Sequence, residues 1–180
     1  MKFAYADPPY LGCGARYAND HPDALIWNDM ETHRDLIGRL NSEYPDGWAM
    51  SASSPSLKTL IPMLADDCRV CAWVKPFAVF RPNVGVAYAW EPVIIRGGRR
   101  RSRQQPTVRD WFSCEITLRK GLVGAKPPAV VHWILDLLNV QRGDEVDDLF
   151  PGTGVVGLCV DARVSGRPTL DDLPIGGVAA

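Results

Sequence analysis

Along this chain, short uninterrupted apolar runs alternate with longer stretches in which apolar residues recur every three or four positions, the periods of strands and of amphipathic helices. Phe3, Ala4, Tyr5 and Ala6 form a β-type run that must stop at Asp7-Pro8-Pro9, because neither proline has an N–H to give to a sheet. Asn28, with Glu31 three residues on, has the form of a capping box, and His33, Leu36, Ile37 and Leu40 follow at helical spacing. A second strand is predicted over residues 47–52, then a helix opened by Ser54-Pro55 and striped with Leu57, Leu60, Ile61 and Leu64. A third strand spans residues 69–74, a loop 77–89, and a fourth strand 91–95, ending at Gly97-Gly98. Pro127-Pro128 starts a helix carrying Val130, Val131, Ile134, Leu137 and Leu138; a last strand over 145–150 runs into Pro151-Gly152-Thr153-Gly154 and a helix over 153–162.

Strands alternating with helices imply crossover connections, hence an α/β fold: a largely parallel, twisted sheet with helices on both faces. No internal repeat or linker divides the chain, so residues 1–180 read as one domain. At 46% hydrophobic residues the chain is neither disordered nor low in complexity. No apolar run approaches the ~20 residues of a membrane-crossing helix, which points to a soluble, cytoplasmic protein without membrane contact.

Twenty basic against 21 acidic side chains give a net charge of −1, and that balance hides an asymmetry. Residues 96–126 carry nine basic and two acidic groups, while residues 51–95 are at +1 and the two end segments are acidic. Five arginines between Arg96 and Arg103 repel one another unless a polyanion or paired carboxylates approach, so this strip is either a solvated face or a nucleic-acid contact. The five cysteines lack framework spacing and fit a reducing compartment. Cys68-Arg69-Val70-Cys71 is a C-x-x-C without a second pair or nearby histidines; entering a strand, its cysteines read as packing residues rather than metal ligands.

Two strand ends are chemically loaded. Asp7-Pro8-Pro9-Tyr10 offers a carboxylate, a rigid carbonyl and an aromatic ring; alone, it also reads as an ordinary turn. The segment from Asp148 through Phe150, Gly152, Thr153 and Gly154 is a strand, a glycine turn and a helix start, suited to close backbone approach to a nucleoside-type ligand. It is shorter than a dinucleotide fingerprint and lacks the lysine of a phosphate loop, so a plain turn is its alternative. In a parallel sheet both would open on the same edge.

Taken together and in this order, the motifs resemble the amino-methyltransferases that use S-adenosylmethionine, specifically the site-specific DNA adenine-N6 methyltransferases. Asp7-Pro8-Pro9-Tyr10 looks like their catalytic tetrapeptide, residues 148–154 like their cofactor loop, and Lys126-Pro127 like the segment preceding that loop. Catalytic motif first and cofactor motif last is the circularly permuted arrangement of that Rossmann-like fold. The resemblance implies that the Asp7 carboxylate and the Pro8 carbonyl accept the two N–H groups of an adenine amine, and that Tyr10 stacks on the extruded base. An ordinary aspartate of pKa about 4 suffices, and no metal is needed. It further implies that the backbone at Phe150, Gly152, Thr153 and Gly154 lines S-adenosylmethionine, with Asp148 facing its ammonium and Lys126 and Pro127 closing the pocket. A solvated lysine is the alternative at Lys126. The basic insertion, residues 97–126, falls where such enzymes recognise their target, and Arg99, Arg100, Arg101 and Arg103 become candidate phosphate contacts on DNA.

The chain is abbreviated after residue 162 relative to that pattern, which leaves the acidic residue for the cofactor ribose unassigned. Asp161, Asp171 or Asp172 are candidates, and a homodimer partner is another way of completing the pocket. The alternatives are a non-catalytic nucleic-acid-binding subunit, or an amino-methyltransferase acting on RNA, cytosine or protein glutamine.

Overall fold

The computed structural model describes residues 1–18, 22–77, 83–116 and 126–166. Among these, six strands form one sheet: β1 (Lys2–Ala6), β2 (Gly47–Ser51), β3 (Arg69–Val74), β4 (Trp90–Gly97), β5 (Trp111–Ser113) and β6 (Glu145–Asp148), in the order β5-β3-β4-β2-β1-β6. Its helices are α1 (Met30–Glu43), α2 (Leu57–Leu60), α3 (Pro128–Leu137) and α4 (Val155–Ser165). None of the described helices is long and apolar enough to cross a membrane.

Strand alternation divides the core in two. Phe3 and Tyr5 of β1, with Trp73 and Val93, pack on Val131 and Ile134 of α3 and Val160 of α4. Ala4 and Ala6 turn the other way and join Trp48, Met50 and Ile94 beneath Leu36, Ile37 and Leu40 of α1 and Leu60 of α2. Each fully buried large side chain contributes about 1.5–3 kcal/mol, so sealing both faces supplies most of the favourable folding energy. Cys71 and Cys68 follow the same alternation into opposite clusters.

The expected α/β sheet is present, with one change of direction. β1 pairs in parallel with β2 and β6, and β3 with β5, but β4 runs antiparallel to both β2 and β3. The start of β4 therefore lies at the edge where the other strands end. Where β4 finishes beside the start of β2, the chains approach closely: a Cβ on Gly47 (φ +147°) would stand 2.4 Å from the Gly98 nitrogen. Glycine is required there.

Three local expectations are corrected. Asp29, not Asn28, caps α1, accepting from the Glu31 N–H at 3.1 Å, while Asn28 Oδ1 accepts from the Gly14 N–H at 3.0 Å. The helix foreseen from Ser54 to Leu64 is only one turn of α2 between 3-10 turns, because Pro62 lacks the N–H that would continue it, and Ile61 of the expected stripe is exposed. Within the basic segment lies β5, three residues long and too short for its period to register.

Much of the arginine strip closes the corner at the end of β4. Arg99 Nη2 donates to Asp144 Oδ1 at 2.5 Å, and the N-terminal ammonium donates to the same oxygen at 2.9 Å. Asp144 Oδ2 accepts from the Gln141 N–H at 2.8 Å. Burial opposes ionisation of Asp144, but these donors outweigh it and hold its pKa at about 2. A carboxyl depressed in this way contributes its stability in full above the ordinary pKa near 4 and loses it as pH falls through about 2. Asp144→Asn is expected to lower unfolding free energy by about 2 kcal/mol at pH 7, with the difference from wild type shrinking between pH 4 and pH 2, as read by urea denaturation across that range.

Candidate active site

β1 ends because Pro8 and Pro9 cannot extend its ladder, and the next residue along the sheet is set by register. Tyr5 pairs with Asp148 on β6, and the Leu149 N–H donates to the Tyr5 carbonyl at 3.0 Å. Asp7 and Phe150 thus leave the sheet side by side, and the two loaded strand ends open on one edge. Beyond β6, the loop closes with the Gly154 N–H on the Pro151 carbonyl at 2.6 Å. Gly152 (φ +44°) and Gly154 (φ +76°) both take left-handed backbone, and among the described residues nothing beyond its chain neighbours lies within 4 Å of where a Gly154 Cβ would be. Trp27 packs edge-on against Phe150 at 5.1 Å and steadies the loop from below, while Thr153 is exposed.

Asp148 is half-satisfied. Its Oδ1 accepts from the Phe150 N–H at 3.2 Å, but its Oδ2 is buried with no hydrogen-bond partner among the described residues. Burial raises its pKa, the Phe150 N–H opposes the rise, and the Asp7 charge adds to it. A buried carboxylate oxygen with no partner is a site for a cation or an N–H donor.

Asp7 lies at the centre of a charge cluster. Lys126, 7% exposed, donates from Nζ to Asp7 Oδ1 at 2.8 Å and to the Tyr10 hydroxyl at 3.0 Å. The Tyr10 hydroxyl in turn donates to Glu91 Oε2 at 2.7 Å, and Lys126 Nζ lies 3.5 Å from the same oxygen. Lys75 donates to Glu91 Oε1 and sits over the Trp73 ring at 4.7 Å from its centroid. Lys126 reaches this point because Pro127 caps α3 in extended backbone and turns the preceding residue inward. Lys126 is therefore a buried partner of Asp7, and the solvated alternative is set aside. Among the described residues the Pro8 carbonyl accepts no hydrogen bond.

The aspartate is not an ordinary one. Burial raises the Asp7 pKa, Lys126 pulls it back only in part, and Glu91 raises it further. Glu91 is also opposed by burial, but Lys126 and Lys75 together hold its pKa below the usual value. Lys126 loses solvation too, yet Asp7, Tyr10, Tyr5 and Glu91 keep its pKa raised and the ammonium charged. Glu91 and Lys75 belong to the cluster without having been singled out from the sequence as site residues. The available signal was an acidic residue inside an otherwise apolar run, Trp90-Glu91-Pro92-Val93; what hid its significance was the reversed direction of β4.

The four candidate phosphate-binding arginines are not brought to this edge. Residues 91–97 of β4 span about 20 Å, and the strip begins at the far end. Arg99 is committed to Asp144, and Arg101 donates to the Pro106 and Asp136 carbonyls. Arg100 and Arg103 are exposed and have no partner among the described residues. Asp161 is exposed on α4, well past the loop, and Asp171 and Asp172 lie outside the described residues, as do 117–125 of the basic insertion.

Solved structures of other proteins share this fold. The M1.HpyAVI–SAM complex superposes over 91% of this chain and 78% of its own, with a TM-score of 0.56 and 17% identity. A protein described as a DNA modification methylase, from Thermus thermophilus, matches over 91% of this chain and 77% of its own, with a TM-score of 0.53 and 14% identity. No family model and no curated protein matches the sequence. At such low identity the likeness establishes the α/β architecture, and the chemistry rests on the side chains.

Removing the cation isolates its effect on Asp7. In Lys126→Met the Asp7 carboxyl is expected to titrate higher than in wild type, with Lys126→Arg close to wild type, as read by carbon-13 NMR of labelled aspartate. Leaving Asp7 buried without its partner is also expected to cost about 3–5 kcal/mol of stability.

Proposed function

We propose that this protein transfers a methyl group from S-adenosylmethionine to the exocyclic N6 amine of adenine in DNA. The observation that carries the reading is the shared edge: the Tyr5–Asp148 register sets the Asp7 carboxylate beside the 148–154 loop, whose own carboxylate keeps one oxygen buried and unpartnered. That oxygen suits the ammonium of a methionine moiety, and the open space above Gly154 suits its ribose and sulfur. Phe150, Gly152, Thr153 and Gly154 would line the bound cofactor, with Lys126 and Pro127 at the wall toward Asp7. The shared architecture with a protein crystallised with SAM, and with one described as a DNA modification methylase, supports the same reading.

Bound there, the sulfonium supplies a methyl group that is already activated. The chain's task is to position an amine whose lone pair is delocalised into a purine ring. Asp7 Oδ2, left free while Lys126 holds Oδ1, accepts one N–H, and the Pro8 carbonyl accepts the other, favouring a tetrahedral nitrogen. Asp7 Oδ2 would take up the proton that the amine loses on methylation and pass it to solvent. Tyr10, its hydroxyl fixed by Lys126 and Glu91, offers its ring to the extruded base. Lys126 is a positioning residue: it fixes the carboxylate and favours its ionised form against burial. The exposed Arg100 and Arg103 contact phosphates, a contribution that orients DNA without reading its sequence.

Incubation of the protein with unmethylated genomic DNA and tritiated S-adenosylmethionine tests this directly. Wild type is expected to label DNA, with N6-methyladenine as the modified base after digestion, and Asp7→Ala to label it about 10²–10³-fold more slowly while still binding the cofactor. Equal labelling by both proteins would refute the role of Asp7. Cofactor binding without transfer to any DNA would favour a non-catalytic nucleic-acid-binding subunit, and label in RNA, cytosine or protein glutamine would reassign the substrate.

A further inference from the structure

Among the described residues, nothing packs over one face of the sheet at the β5 end. On β3, Cys71 and Trp73 are buried toward α3, whereas Val70, Ala72 and Val74 turn to the opposite face. The cluster under α1 and α2 on that face ends at Met50, Ala52 and Ile94. Beyond it Val70 is 38% exposed, Trp90 37% and Trp111 46%. Ala72 pairs with Trp111 on β5, and Val74 with Trp90 on β4, so the two tryptophans flank β3 in successive rows. Their Cα atoms are roughly 12 Å apart by strand spacing, with only Ala72 and Val74 between them. The result is a shelf with an aromatic wall on each side and a low apolar floor.

Two further features say what the shelf takes. The Arg109 guanidinium lies 5.5 Å from the Trp111 ring centroid, and no carboxylate pairs with it among the described residues. The shelf and the candidate active site also meet at one edge of the sheet, since Trp90 is adjacent to Glu91, whose side chain joins the Asp7 cluster on the other face. The exposed apolar area is roughly 200–300 Å², well short of the ~800 Å² per partner of a stable protein interface.

We propose that this shelf binds an unpaired nucleic-acid strand flanking the target nucleotide, its bases stacking on Trp111 and Trp90 and its phosphates meeting Arg109. The proposal rests on the reading of nucleic acid as substrate and extends it to strand separation: a strand held here is already unstacked next to the point where a base must leave the duplex. Trp111 lies outside both core clusters, so replacing it leaves the fold intact.

Fluorescence anisotropy with a labelled 12-nucleotide single strand and the matching duplex, at several salt concentrations, tests the shelf separately from methyl transfer. Trp111→Ala is expected to weaken single-strand binding about tenfold and Trp90→Ala/Trp111→Ala further, with duplex affinity changing less than threefold. Arg109→Ala is expected to reduce the log–log salt slope for the single strand by about 0.7. Unchanged single-strand affinity in these variants overturns the shelf, and if wild type still labels DNA the methyltransferase reading survives. Conversely, loss of binding in the variants together with a wild type that methylates nothing upholds the shelf and removes the enzyme. Wild-type self-association that Trp111→Ala abolishes, with oligonucleotide affinity unaltered, overturns the proposal in favour of a second copy of the chain.

Discussion

A lysine ammonium as deeply buried as Lys126 persists only where nearby acceptors replace the water it has lost, and here they come from distant parts of the chain. Asp7 follows β1, Tyr10 lies in the loop beyond, and Glu91 opens β4, while Lys75 from the end of β3 adds a second cation. Two ammonium groups face two carboxylates, so the cluster is neutral when all four are charged. Removing any one leaves an uncompensated charge at a poorly solvated edge. The cluster therefore ties four chain segments to one point, and the location of the site follows from it.

Neutrality of the whole does not make its members equivalent. Glu91 has both lysines and the Tyr10 hydroxyl, enough to outweigh burial, whereas Asp7 has one lysine and a contribution from Tyr10, and burial with the Glu91 charge keeps its pKa raised. A carboxylate stabilised less than its neighbour is the better acceptor for an incoming N–H, because an added donor relieves a deficit there and adds little at Glu91. The same reasoning applies to Asp148, whose Oδ2 lacks a partner. Asp7 follows β1 and Asp148 ends the neighbouring β6, so the two carboxylates with acceptor capacity to spare share one sheet edge.

The extents of β1 and β2 were legible because burial on two faces leaves a near-continuous apolar run, which Asp7-Pro8 ends in β1. Strand direction leaves no trace in such a run. β4 reads the same in either sense, so Glu91 looked like a strand opening rather than part of a site. Pairing partners were equally invisible: Asn28 and Asp29 are both competent caps, and the choice was made by the Gly14 N–H, fourteen residues away in sequence. β5 was missed because three residues do not make a period, and Pro62 was overridden in reading by the leucine stripe around it.

The arginine strip shows why local charge is a poor guide to local function. Arg96 donates to Asp67 and Asn41, Arg99 to Asp144, and Arg101 to backbone carbonyls, all at the edge opposite Asp7. These arginines meet carboxylates and carbonyls contributed by the segments the sequence reads as acidic or neutral, so the charge asymmetry along the chain is largely cancelled in space. What remains unpaired among the described residues is Arg100, Arg103 and Arg109, spaced along the path from that corner to β5. A polyanion would meet this residual set rather than the whole strip. The fold has thus divided one run of like charge into a part that closes a corner of the sheet and a part that still faces solvent.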